Sequence, residues 1–163
     1  MRRRRLRQDA EPGKRIGAFE SVQHAGRQRV GGARRIVAEA KALREIGIGT
    51  IAIMPNDTVT YHDDSFDNMK AFAAKHRFTF PYVIDETQKV ARAYGAQCTP
   101  DFFGFNSKLE LNYRGRLDAS GREPAGPQVR RDLFEAMREI ATTGQGPRSQ
   151  IPSIGCSIKW KAA

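Results

Sequence analysis

Gln97-Cys98-Thr99-Pro100-Asp101-Phe102-Phe103-Gly104-Phe105 is the stretch on which the fold of this 163-residue chain turns. A Thr-Pro pair opens an aromatic, β-prone run, and on its own it has two readings. An X-Pro bond takes the cis form at modest cost, and a buried cis-proline is normally a selected feature of a turn. Alternatively, Pro100 begins a strand, where its missing N–H costs nothing. The elements on either side decide between the two.

Downstream, Asp101 to Phe105 reads as a strand, Asn106-Ser107-Lys108 as a turn, and Leu109 to Arg114 as the antiparallel partner. A polar loop, Gly115 to Gly126, comes next. Pro127 then opens a last helix with Val129, Leu133, Met137 and Ile140 inward and Gly144 beyond its end. The tail from Gln145 is rich in Gly, Pro and Ser but finishes in an apolar knot, Ile151 to Trp160. Upstream, Ile36, Val37, Ala40 and Leu43 make one face of a helix that Gly47 caps. Ile48 to Met54 is a continuous apolar run, as expected of a strand covered on both faces in a parallel sheet. Asp64 or Ser65 caps the next helix, where Phe66, Met69, Phe72 and Ala73 share a side. A short strand at Phe80 to Ile84 and a helix at Thr87 to Tyr94, stopped by Gly95, lead back to Cys98.

Helices alternating with strands, then a hairpin and a helix, predict an α/β three-layer sandwich with a mixed sheet. A thioredoxin-type core has this order if one more strand precedes the first helix. That strand has no clear signal: Ile16, Phe19 and Val22 recur every three positions, which suits neither a strand nor a helix face. In such a core the Thr-Pro before the hairpin is the cis-proline position, which favours the cis reading of Pro100.

The formal net charge of +10 invites a search for an anionic partner, but the charge is local. Residues 1–35 carry 11 Lys and Arg against 3 acids, while the remaining chain carries 17 bases against 15 acids. Residues 1–33 therefore read as a basic arm, disordered or unrelated to the rest of the chain. Residues 34–145 read as the domain, and 146–163 as an extension packed on it. An Arg-rich arm binds phosphates without reading sequence, and the nearly neutral body carries no nucleic-acid motif, so nucleic acid is not the expected partner. The longest apolar run, Ile46 to Met54, is too short for a membrane span of about 20 residues. The Arg-rich start has no apolar stretch behind it to make a secretory signal. With two cysteines, no disulfide-stapled scaffold or four-cysteine zinc site is available, and a cytoplasmic location is expected.

From Ile36 onward the chain resembles the thioredoxin-like, peroxiredoxin-like branch of the alkyl hydroperoxide reductase/thiol-specific antioxidant superfamily. The matching pieces are Ile53-Met54-Pro55-Asn56-Asp57, Tyr61 to Lys70, Asp85 to Ala96 and Cys98 to Phe103. Tyr113 to Asp118 and the unusual Pro152-Ser153-Ile154-Gly155-Cys156-Ser157-Ile158-Lys159-Trp160-Lys161 complete them. The resemblance implies thiol-disulfide oxidoreductase or peroxide-reducing, antioxidant chemistry on a disulfide- or peroxide-containing substrate or a redox partner protein, with no cofactor. It also implies that Thr99 and Pro100 shape the substrate-facing loop. Such enzymes carry Cys-x-x-Cys at the N-terminus of the first helix, where the helix dipole and free N–H groups lower a thiol pKa. Here residues 1–33 contain no cysteine. The abrupt change near Ala33 suggests a start joined from another reading frame, and impaired or absent activity is the expectation. The alternative is a non-catalytic thioredoxin-fold binding module.

Cys98 and Cys156 are the thiols that remain. Cys98 is the candidate remaining catalytic thiol, as a resolving or substitute cysteine, or else a small buried apolar side chain. Cys156 is a redox thiol or a packing residue of the C-terminal knot, and a bridge between the two cannot be judged from spacing. No metal site is expected. His24, His62 and His76 lack ligand spacing, and Asp57, Asp63, Asp64 and Asp67 lack the glycine and distal glutamate of a calcium loop.

Overall fold

The structure, a computed structural model, describes residues 15–21, 30–121, 123 and 125–162, with the backbone alone for 15–21 and 30–31. The apolar run becomes β2 (Ile48–Met54), and Ile48, Ala52, Ile53 and Met54 are buried in it. To one side β2 pairs in parallel with β3 (Tyr82–Ile84), and to the other with β1 (Arg15–Ser21). Across β1, the sheet turns antiparallel through β5 (Phe102–Phe105) and β6 (Leu111–Gly115), giving the order β3-β2-β1-β5-β6.

The helices cover both faces. The first helix, α1 (Val30–Glu45), and the last, α4 (Asp132–Thr143), enclose the main core with Ile36, Leu43, Ile48, Phe102, Tyr113, Leu133, Met137 and Ile140. Strand alternation sends Phe103 and Phe105 to the opposite face, where Tyr94 packs 5.6 Å from each ring, just after α3 (Lys89–Ala93). Gly104 points back at α4; a Cβ there would lie 2.4 Å from the Met137 sulfur, so this close approach needs glycine. The remaining helix, α2 (Phe66–His76), is capped by Ser65, whose Oγ accepts the Asn68 N–H.

Four expectations need correction. A strand does precede the first helix: Arg15–Ser21 lies at the centre of the sheet, inside the stretch read as an arm. Its pattern is weak, but the slot between β2 and β5 presents ladder groups on both sides, and β-propensity yields to such context. The rest of the arm, residues 1–14 and 22–29 with His24, lies outside the described residues. Second, α4 starts at Asp132, not at Pro127. Val129 closes a turn onto the Gly126 carbonyl, and Arg131, at φ −92 and ψ 76, is not helical. Third, Phe66 is 54% exposed, stacked under the Lys70 ammonium instead of sharing the buried side of Met69. Fourth, α3 is shorter than Thr87 to Tyr94, because Gln88 takes a left-handed conformation at φ 57.

Candidate functional site

The Thr99–Pro100 peptide bond is cis. Ahead of it, β4 (Cys98–Thr99) pairs antiparallel with β7 (Cys156–Ser157), with Cys98 opposite Ser157 and Thr99 opposite Cys156. All four sequence candidates, Cys98, Thr99, Pro100 and Cys156, are thus gathered at one place. The Thr99 hydroxyl donates to the Cys156 carbonyl at 3.3 Å, and Thr99 is 2% exposed. Its backbone edge, expected to face a substrate, is covered by the chain's own C-terminal segment. Gly155 lies so close that a Cβ would sit 2.3 Å from the Thr99 carbonyl oxygen.

Cys98 is half-buried and forms no disulfide with Cys156; its thiol donates to the Pro100 carbonyl at 3.4 Å. Beside it, the buried Asp101 carboxylate accepts from Arg114 Nη2 at 3.1 Å and from the Gln97 N–H at 3.3 Å. Arg114 is itself fixed by donating to the Gly95 carbonyl at 2.6 Å and lying over the Phe103 ring. Burial, then the negative charge of Asp101, pushes the Cys98 thiol up to about 11, and Arg114 offsets only part of this. Both main causes penalise the charged form. Cys98 is therefore a protonated thiol at neutral pH, whereas the thiolate is the form that attacks disulfides and peroxides.

Between β1 and α1, the place where the resemblance puts a reactive pair, the sequence reads Val22-Gln23-His24-Ala25-Gly26-Arg27-Gln28-Arg29, without cysteine. Among the described residues, no three metal-ligating side chains come together, and no helix is long and apolar enough to cross a membrane.

Residues that the sequence did not single out complete the surroundings. Asn56, after β2, donates through Nδ2 to Asp64 at 2.8 Å, and Gln88, 1% exposed, donates to the Pro55 carbonyl at 2.7 Å. Both amides also hold the C-terminal segment. A lone Asn or Gln is usually a surface residue, so composition and spacing gave no hint of them. The Asp101–Arg114 pair was equally hidden, since Asp101 lies just before β5 and Arg114 on β6.

A protein-family model described as the AhpC/TSA family matches residues 33–118, beginning where the composition changes. The crystal structure of an uncharacterized conserved protein from Geobacillus kaustophilus is similar at a TM-score of 0.80 and 38% identity, over 92% of this chain and 80% of that one. A hypothetical protein from Sinorhizobium meliloti is similar at 0.77 and 28% identity, over 92% and 81%. A thioredoxin-like protein solved in its oxidised form shares the fold at a TM-score of 0.58, with 12% identity over 78% of this chain and 77% of that one. No curated protein matches the chain at a significant level. With a family model spanning more than half of its length and a solved relative at 38% identity, the chain belongs to the AhpC/TSA family, on a thioredoxin-like fold.

Proposed function

We propose that this protein is a thioredoxin-like thiol-disulfide oxidoreductase or peroxiredoxin-like antioxidant protein by descent that does not turn over in its present form. In an active relative of this chemistry, a thiolate attacks a disulfide sulfur, forms a mixed disulfide and expels the other sulfur as a thiolate. With a peroxide, the thiolate sulfur takes one oxygen to become a sulfenic acid. Either step needs a thiol that ionises near neutral pH. One observation carries the reading: the thiol at the cis-proline loop, Cys98, is held protonated by burial and Asp101, and no cysteine lies between β1 and α1. In this reading Thr99 and Pro100 shape the loop that would face a disulfide- or peroxide-containing substrate or a redox partner protein, in the cytoplasm. Cys98 packs more than it reacts, and Cys156 is a structural thiol of the tail.

The start of the chain fits the same reading. The segment between β1 and α1, where the resemblance puts the reactive pair, holds no cysteine, and the family model's match begins only after it, at residue 33. Translating the other two frames upstream of the Arg35 codon tests this directly. Since β1 already supplies the strand, a Cys-x-x-Cys ahead of the α1 codons in one frame is expected, and its absence from both rejects the idea.

An NADPH-coupled disulfide-reduction assay of the chain beside its Cys98→Ser variant tests the function. Equal background rates are expected. Turnover by the unmodified chain above the variant would overturn the reading. The second reading, a non-catalytic thioredoxin-fold binding module, is favoured by the covered Thr99 edge, which already holds an extended strand.

A further inference from the structure

The C-terminal segment makes main-chain contacts along a continuous path. The Ile151 carbonyl accepts the Arg116 N–H at 3.0 Å, and Ser153 Oγ donates to the Gly115 carbonyl at 2.6 Å. Gly155 then lies flat on the Thr99 backbone, and β7 pairs with β4. Beyond this ladder, two buried amides take over. The Lys159 N–H donates to Asn56 Oδ1 at 3.0 Å, and its carbonyl accepts from the Asp57 N–H at 2.8 Å and Gln88 Nε2 at 2.9 Å. The Lys161 N–H donates to Gln88 Oε1 at 2.9 Å. Asn56 presents its oxygen to the tail because its Nδ2 is committed to Asp64. Gln88 is oriented in the same way by the Pro55 carbonyl.

Side chains matter at three positions of this path. Residue 155 must lack a Cβ. Residue 158 fills an apolar site, where Ile158 is 4% exposed. Residue 160 presents an aromatic face to the Arg92 guanidinium, 4.4 Å from the Trp160 ring centroid. Backbone hydrogen bonds supplying affinity and side-chain pockets supplying selectivity are the physics of peptide recognition by strand addition. Few of the segment's apolar side chains are fully buried: Ile154 is 80% exposed, while Ile151 and Trp160 keep 38% and 39% of their surface open. Elements with few buried apolar contacts open locally before the core does.

We propose that the cleft from the Thr99 edge to the Gln88 turn is a recognition site for an extended peptide of the pattern Gly-x-x-Ile-x-Trp, occupied in cis by the chain's own residues 155–160 and able to accept the same pattern in trans. The site uses no thiol chemistry, so it stands or falls separately from the oxidoreductase reading. A partner bearing the pattern gains the Thr99 edge only when the tail leaves.

The test uses the full chain and a fluorescently labelled synthetic peptide of residues 150–162. Gly155→Ala places a methyl group on the Thr99 carbonyl, which lifts the chain's own tail without altering the cleft. The variant is expected to bind the peptide at least tenfold more tightly than the unmodified chain does. A peptide carrying the same Gly→Ala change is expected to bind neither. Trp160 is the only tryptophan of the chain, so its emission should shift to the red in the variant as the tail becomes solvated. No gain in peptide binding over the unmodified chain overturns the proposal. Should the variant fail to fold, hydrogen exchange of the unmodified chain decides. The Asp57, Lys159 and Lys161 amides are expected to exchange through an opening at least tenfold more populated than that exposing the Ala52 amide of β2. Equal protection, with the same denaturant dependence, overturns the proposal.

Discussion

Cys98 offers the sharpest quantitative prediction. Its thiol is raised from 9.0 to about 11, first by burial and then by the Asp101 carboxylate. Each unit is a tenfold change in the proton equilibrium, so native Cys98 should hold about 100-fold less thiolate at pH 8 than an unshifted cysteine. Alkylation by iodoacetamide tracks the thiolate. Peptide-level mass spectrometry of the Cys98 fragment, from pH 7 to 10.5, would give the rate for native and urea-unfolded chain. The native rate should climb about tenfold per pH unit up to pH 10 without a plateau, while the unfolded chain levels off near pH 9. The shape of the profile, unlike the absolute rate, separates ionisation from simple shielding of the sulfur. Asp101→Asn should lower the midpoint, by less than the whole shift because burial is the larger cause. The same linkage affects stability. Because the folded value lies above the unfolded one, this group's contribution is complete below about pH 9 and is lost as pH rises through about 11. Cys98→Ser should therefore reduce the alkaline fall in Tm. A native plateau below pH 9 would refute the reasoning.

Two further perturbations test the scaffold. Gly104→Ala forces a methyl group to 2.4 Å from the Met137 sulfur and 3.0 Å from the Tyr113 Cβ. Urea unfolding should show a loss of about 1–3 kcal/mol, the usual cost of overpacking a core, and an unchanged midpoint would contradict the packing described. Arg35 Nη1 reaches both oxygens of the buried Asp118 carboxylate at 2.7 and 2.9 Å, and its Nη2 donates to the Gly121 carbonyl. Arg35→Ala leaves that carboxylate, among the described residues, with the Ser120 side chain and N–H, and should cost roughly 1.5–3 kcal/mol by the same measurement.

Much of the fold was legible because its signals are local. The Ile48 to Met54 run, the glycines after α1 and α4 and the Asn106 turn each declare an element within a few residues. Thr99-Pro100 was legible only through its place in the element order. The central strand was not, because Arg15–Ser21 owes its conformation to neighbours on both sides, separated from it by long stretches of chain. At the site, the two cysteines and the Thr-Pro pair were visible as residue types. Their neighbourhood was hidden: the pairing of β4 with β7 joins residues nearly 60 positions apart, and the Gln88 amide meets Lys159 across 71. Nothing in periodicity marks a buried glutamine or a glycine pressed onto a distant carbonyl. The high Cys98 pKa is likewise a consequence of burial beside Asp101, which spacing alone does not reveal.

The central claim is that the fold survives here without an attacking thiol. Intact-mass spectrometry of the native chain after exposure to glutathione disulfide at pH 7 tests it most directly. With the adduct located by peptide mapping, none is expected on Cys98 of the native chain within the time that fully modifies Cys98 of the urea-unfolded one. A rapid adduct on native Cys98 would show a reactive thiolate and contradict the claim.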